Sequence, residues 1–341
     1  MANRIFYAVQ QVAIGNLSGQ YQVLKGVQSV SMTTTFNLEQ AFELGQLEIY
    51  ENIEGVPSVE MTINRLLDGT ALAYVLAAGD GTNNYANADD INLASTNEFT
   101  ARLGIWDEAT DSSAGGTNAN PTNQVTISGA FISNVSYTLG VDGNFTEELG
   151  ITATDKAWYA DCDAASAWSD DYTAGAFAAN NDSPDFAGGV QRREYFDTGS
   201  TIPTIIPEGK NRLQSVSISA DFGREDLFEL GKKGPFAKVA TFPLEVTCSI
   251  EVLSSGGDLV SAGAEGCATG LTACDVNNNL SDETIIIKTC DGTVIDLGTK
   301  NKLSSVSYGG GDAGGGNVTT TFDFVTYNKL SISGTGTVNM T

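Results

Sequence analysis

The chain has 341 residues, 17 basic side chains against 42 acidic ones and a net charge of -25, enough length for two ordinary domains. That charge argues against a protein that grips nucleic acid, which needs a basic stripe to replace phosphate counterions. The sequence has no histidine, which removes Ser-His-Asp triads, Cys-His dyads and His-ligated metal sites.

The N-terminal MANRIFYAVQQVAIG lacks a continuous apolar core followed by a small-residue cleavage site, so it reads as mature protein and not as a signal peptide. No run approaches the roughly 20 apolar residues that span a bilayer. Ile5 to Ile14 is a short apolar segment that fits either an arm onto a neighbour or a local strand.

Gln28 to Gly45, QSVSMTTTFNLEQAFELG, returns as Gln214 to Gly231, QSVSISADFGREDLFELG, at a constant offset of 186 with ten of eighteen positions identical. About one identity is expected by chance, so this is an internal repeat and has to be found before any fold is assigned. In both copies apolar and polar residues alternate: Val30, Met32, Thr34 and Phe36 against serines and threonines, and Val216, Ile218, Ala220 and Phe222 likewise. Period two predicts an amphipathic strand. The following LEQAFELG and REDLFELG break that alternation and end on Gly, as a helical turn or shaped loop does.

A second strand is expected near Val56 to Asn64, with its counterpart near Leu244 to Val252. Pro57 and Pro243 sit where a strand start needs no ladder donor. Leu66 to Ala78 is the best helix candidate, with Asp68 as its cap. Residues 79–123 are rich in Gly, Asn, Asp, Ser and Thr and read as an exposed insertion with some order around Phe99 to Trp106. Two strands then flank Val141-Asp-Gly-Asn144, a strong hairpin signal. This pair echoes in the second half: Asn134 to Tyr137 matches Ser305 to Tyr308 at offset 171, and Phe145 to Ala157 matches Val318 to Leu330 at offset 173. The expected organisation is therefore a first β domain over 1–158 (insertion 79–123), a linker or clasp over 159–210, and a second β domain over 211–341.

No catalytic constellation emerges, and no enzyme activity or cofactor is expected. Asp89-Asp90, Asp161 with Asp163, Asp170-Asp171 and Asp275 to Asn279 invite a calcium reading but lack the spaced EF-hand pattern. Glu147 and Glu148 are adjacent on a strand and so point to opposite faces. Of the five cysteines, Cys267 and Cys274 flank six residues and fit either a bridge or reduced thiols; none pair as CxxC.

VSYTLGVDGNFTEELGITATDKAW at 135–158 and LGQLEIYENIEGVPSVEMTINRLLDG at 44–69 resemble the hairpin and the loop-strand-helix region of the tail tube proteins of long-tailed bacteriophages. The second copy replaces the Val-Asp-Gly-Asn turn by glycines. The resemblance implies a mainly β chain of two homologous antiparallel β-sandwich or barrel domains, each with a short flanking helix and long loops. It also implies a virion protein assembled in the host cytoplasm, three chains per pseudo-hexameric ring, and rings stacked into a hollow conduit for DNA ejection. Its partners would be other copies of itself, in ring and stack contacts, with sheath, tape-measure, terminator and baseplate proteins possible. DNA would pass without specific binding, and no membrane is involved. Ser29, Ser31, Thr33, Glu245, Thr247, Ser249 and Glu251 are the expected lumen-lining residues, from alternation and charge. Phe42, Leu44, Phe228 and Leu230 are the expected ring or stacking contacts. The alternative is a secreted, surface-layer, adhesin-like or decoration β protein, possibly calcium-stabilised.

Overall fold

The computed structural model describes residues 5, 7–15, 21–45, 47–70, 72–78, 87–88, 91, 96–106, 121–160, 189–206, 212–254, 260, 281–310 and 316–333. The first half contributes β1 (Gln10–Gly15), β2 (Tyr21–Val23), β3 (Val27–Thr35), β4 (Leu38–Phe42), β5 (Ile49–Glu54), β6 (Ser58–Leu66), α1 (Ala73–Ala78), β7 (Asn87–Ala88), β8 (Phe99–Ile105), β9 (Asn123–Gly140) and β10 (Thr146–Ala160). The second half contributes β11 (Leu213–Asp221), β12 (Arg224–Leu227), β13 (Ala237–Ala240), β14 (Glu245–Leu253), β15 (Ile286–Lys288), β16 (Val294–Asp296), β17 (Lys302–Gly309), β18 (Thr319–Tyr327) and β19 (Ser331–Ser333). The chain is mainly antiparallel β, as its alternating patterns predict.

The main sheet runs β3-β6-β10-β9-β11-β14-β18-β17. Its first four strands correspond one for one, in order, to its last four. The 186-residue offset holds through the hairpins: Leu38 pairs Glu54 in β4–β5 and Arg224 pairs Ala240 in β12–β13. From there the offset becomes 187. Met32 pairs Met61, whereas Ile218 pairs Cys248, so one extra residue lies between Pro243 and Val246.

Alternation sets the two faces. Met61, Ile63, Leu149, Ile151, Val135, Ile218, Cys248, Ile250, Phe322 and Phe324 are buried in one continuous core that draws on both halves. The β9–β10 turn lies at the expected Val141–Asn144, with Gly143 at φ +121°, a value open to glycine, and Asp142 outside the positive-φ region. The Gln10 to Ile14 part of the apolar segment is a local strand, preceded by a 3-10 turn at Tyr7–Val9: β1 pairs β2 and β8 of its own half.

Four expectations change. LEQAF and REDL form strands, β4 and β12, each in a two-stranded hairpin of its own, and the turn comes after them, where Gly45 (φ +94°) and Gly231 (φ +92°) close the motif as a shaped loop. The helix starts at Ala73, because Leu66 still belongs to β6 and is bonded to Gly26 O. It is the one α-helix of at least a full turn among the described residues, so the second half shows no flanking helix there. The insertion is partly built in: β8 lies between β1 and β9 with Phe99, Ala101 and Leu103 buried, and β7 pairs β19. The mainly β, antiparallel class holds, with no barrel closure among the described residues.

Candidate functional site

The expected lumen residues fall on one face of the main sheet. Ser29, Ser31 and Thr33 are exposed on β3, while Glu245 and Thr247 are exposed and Ser249 and Glu251 half-buried on β14. Cross-strand neighbours carry the same polar character across the junction. Ser31 lies opposite Thr62, Thr62 opposite Gly150, Gly150 opposite Asn134, and Asn134 opposite Asp221. In the second half the hydroxyls and carboxylates are tied together. Ser249 donates to Asp323 (2.7 Å) and Ser305 to its other oxygen (2.6 Å), Ser215 donates to Glu251 (3.2 Å), and the Ser219 and Thr247 hydroxyls are hydrogen-bonded to each other at 2.7 Å. Glu60, Glu148, Asp221, Glu245, Glu251 and Asp323 make this face acidic. Glu148 is exposed there while Glu147 is fully buried, as their adjacency on a strand requires.

Among the described residues the eight-strand path of the main sheet ends in β3 and β17, each paired on one side, and a side branch of the same sheet, β8-β1-β2, ends in β2. At the centre of the path the equivalent edges, β9 and β11, are joined: Val216 pairs Leu139 and Ile218 pairs Tyr137. That joint extends past the strands. Phe222 N donates to Ser133 O, and Arg224 Nε donates to Ile132 O at 2.7 Å with its guanidinium over Phe131 and Phe222. Burial lowers the Arg224 pKa, and the carbonyl and ring faces offset part of that desolvation. The second hairpin, β12–β13, is thereby seated on the first half. The first hairpin, β4–β5, has no such seat among the described residues. Phe36 is 68% exposed where its repeat equivalent Phe222 is 0%. On both hairpins the expected contact residues stand in solvent: Phe42 and Leu44 on one, Phe228 and Leu230 on the other.

A buried charge network was not anticipated. Glu147 accepts from Ala73 N (2.8 Å), Tyr74 N (3.0 Å) and Tyr137 Oη (2.8 Å), and Arg65 Nε lies 3.7 Å away. Glu147 thus satisfies the start of α1, the role expected of Asp68. Asp68 instead binds Arg65 (3.0 Å) and Thr70, because Arg65, fully buried, needs a second acceptor. Burial and the Glu147 carboxylate raise the Tyr137 pKa well above its usual value, so the phenol stays a donor. The sequence carries a signal for this pair: Arg65 and Glu147 both sit in the core phase of neighbouring strands, facing each other in register.

The described part of the linker, 189–206, bonds to both halves. Gln191 N donates to Leu67 O and Phe145 N to Gln191 O; Thr201 N donates to Ile286 O, and Thr204 N to Glu283 (2.8 Å). Arg192 pairs locally with Glu194. Among the described residues no group of three or more Cys, Asp or Glu is placed to hold a metal, and no helix is long and apolar enough to cross a membrane. The acidic stretches at 89–90, 161–163, 170–171 and 275–279, and Cys267 and Cys274, lie outside the described residues.

No protein-family model and no curated protein sequence matches the chain. Among solved structures it is similar to the tube-terminating cap of the anti-feeding prophage (13% identity, 47% of this chain and 93% of that one, TM-score 0.34). It is also similar to a chain of the sheath-tube complex of an extracellular contractile injection system, PVC, in its extended state (11%, 47% and 94%, TM-score 0.32). A third is a chain of the anti-feeding prophage baseplate (13%, 47% and 98%, TM-score 0.32).

Proposed function

We propose that the chain is a structural tail protein, the ring subunit of a tube through which DNA passes. One observation carries this reading: each half supplies four strands in the same order, and the two halves are joined edge to edge through β9 and β11 while, among the described residues, β3 and β17 stay open. An open edge is a liability in a monomer and a joint when another copy supplies the next strand. Repeating the internal joint between chains, β17 of one copy against β3 of the next, is a heterologous contact of the kind that closes a ring when its rotation allows.

Three chains would bring six repeats into such a ring and continue the polar face around it. Glu60, Glu148, Asp221, Glu245, Glu251 and Asp323 then line the channel with Ser29, Ser31, Thr33, Thr247 and Ser249. Carboxylates repel phosphates, so DNA slides and does not stick. The net charge becomes -75 per ring, three times -25, and counterions or well-placed lysines offset it. The role is mechanical, with no reaction proposed. The decisive experiment is negative-stain electron microscopy with native mass measurement over a concentration series. Stacked rings with a central hole and three chains per ring are expected. Assemblies without a hole, or with another number of chains per ring, would sink the reading.

A further inference from the structure

The two hairpins share one plan and differ in charge. Their outgoing segments match: 38–44 carries Glu39 and Glu43, net -2, and 224–230 carries Arg224 against Glu225, Asp226 and Glu229, also net -2. The return segments are opposite. Residues 45–54 hold Glu48, Glu51 and Glu54 with no base, net -3, whereas 231–240 hold Lys232, Lys233 and Lys238 with no acid, net +3; Lys232 and Lys238 pair with Glu229 and Asp226 of their own hairpin, so the whole second hairpin carries +1 against -5 for the first. The strand pairing aligns these segments at 186 throughout, so like positions are being compared. Apolar side chains stay in place on both: Phe42, Leu44 and Tyr50 on one hairpin, Phe228, Leu230 and Phe236 on the other, all exposed. A lone two-stranded hairpin is marginal in water, and clustered exposed apolar side chains mark a contact surface.

From this we infer that the hairpins are the two halves of one contact between copies, the acidic β4–β5 hairpin of one chain docking on the basic β12–β13 hairpin of another. The apolar side chains supply the adhesion, and the charges select the unlike partner, since charge across an interface sets specificity and register more than affinity. Each chain carries one hairpin of each kind, so the contact is heterologous and propagates. The inference deepens the tube reading and rests on it for one consequence. Like and unlike hairpins alternate around a ring, so unlike pairing admits only half of the near-equivalent rotations of one ring on the next. Duplicated repeats that had kept equal charges would leave that rotation undecided.

The test uses full-length chains with the charge of one hairpin reversed. Lys232→Glu with Lys233→Glu makes both hairpins acidic and takes the net charge from -25 to -29, two changes of two units. Glu48→Lys with Glu51→Lys turns the first return segment from -3 to +1 and takes the net charge to -21 by the same arithmetic. Circular dichroism confirms that each folds. Sedimentation velocity should then show the concentration for half-assembly raised at least tenfold in each variant. An equimolar mixture of the two, and the chain carrying all four substitutions, should assemble near the wild-type concentration. Wild-type assembly of either variant alone, or a mixture that stays dispersed, overturns the pairing. So does loss in the -29 variant only, which would report net charge, and so does a wild-type chain that never associates. Tubes that ignore the reversals would remove the pairing and leave the tube. Hole-less assemblies that obey them would remove the tube and leave the pairing.

Discussion

Phe36 and Phe222 are the same residue at the same repeat position, one 68% exposed and the other fully buried. The difference lies in what each faces. Phe222 has the β9 flank of the first half beneath it, with Ser133 O and Ile132 O accepting from Phe222 N and Arg224. Phe36 faces solvent at the end of the sheet. Tyr137 and Tyr308 repeat the lesson at the other edge: Tyr137 is buried under the joint, and Tyr308, its equivalent on the open β17, is 53% exposed. Exposure here follows place in the sheet and not residue type. The halves also differ inside. Arg65, Glu147 and Tyr137 of the first half correspond to Val252, Thr320 and Tyr308 in the second, in the same register.

The largest effect expected is on that internal contrast. Glu147→Ala leaves Arg65 buried beside one fewer carboxylate and strips the start of α1 of its acceptor. A loss of about 3–5 kcal/mol is expected, read as a fall in the urea midpoint of the dispersed chain. A loss under about 1 kcal/mol would show that Asp68 alone satisfies Arg65.

Next comes the external contrast. Phe222→Ala should cost about 3 kcal/mol, the low end for a buried Phe because the flexible Arg224 can settle into the space. Phe36→Ala should change the dispersed chain by no more than about 0.5 kcal/mol and weaken assembly instead. Urea unfolding of the two variants, alongside sedimentation, checks both. Equal costs in the dispersed chain would mean that Phe36 already has a partner within its own chain.

A pH series sharpens the same network. Tyr137→Phe removes a donor to a buried carboxylate, a loss of about 1–2 kcal/mol at neutral pH. The Tyr137 pKa is raised in the native state above its ordinary 10.0, so the native state holds the proton that the unfolded chain releases. Its contribution is therefore complete below pH 10 and declines above it. The stability gap between wild type and Tyr137→Phe should narrow above pH 10, by up to about 1.4 kcal/mol per pH unit. A gap that stays constant to pH 11 would contradict the burial of the phenol.

Much of the sheet was legible because period-two alternation fixes which side of a strand meets the core. Val216, Ile218 and Ala220 are buried and Ser217 and Ser219 exposed, as their pattern dictates. Ser29 and Thr247 share a face for the same reason, although they lie on strands from different halves. The closing glycines at 45 and 231 are legible as a shaped loop, but the strands before them are not, because Glu and Leu favour helices locally and the pairing partner lies a loop away in a segment that has diverged. Asp68 was misassigned because sequence shows only the nearest acid; Glu147 lies 73 and 74 residues from the amides it accepts. The insertion's Phe99 strand gave too short a pattern to reveal that it lies between β1 and β9.

The smallest effect tests whether the second half lost a network or never needed one. Thr320 occupies the place of Glu147, and its buried hydroxyl finds no hydrogen-bond partner among the described residues. Around it, Val252 stands where Arg65 stands, so no charge remains for a carboxylate to answer. An unmade hydrogen bond costs the desolvation of the hydroxyl, which a methyl of the same shape does not. Thr320→Val should therefore be neutral or stabilising by up to about 1 kcal/mol in urea unfolding of the dispersed chain. A loss of that size in the dispersed chain would instead assign the hydroxyl an ordered water within the chain, and a loss confined to the associated state would assign it a partner on another copy.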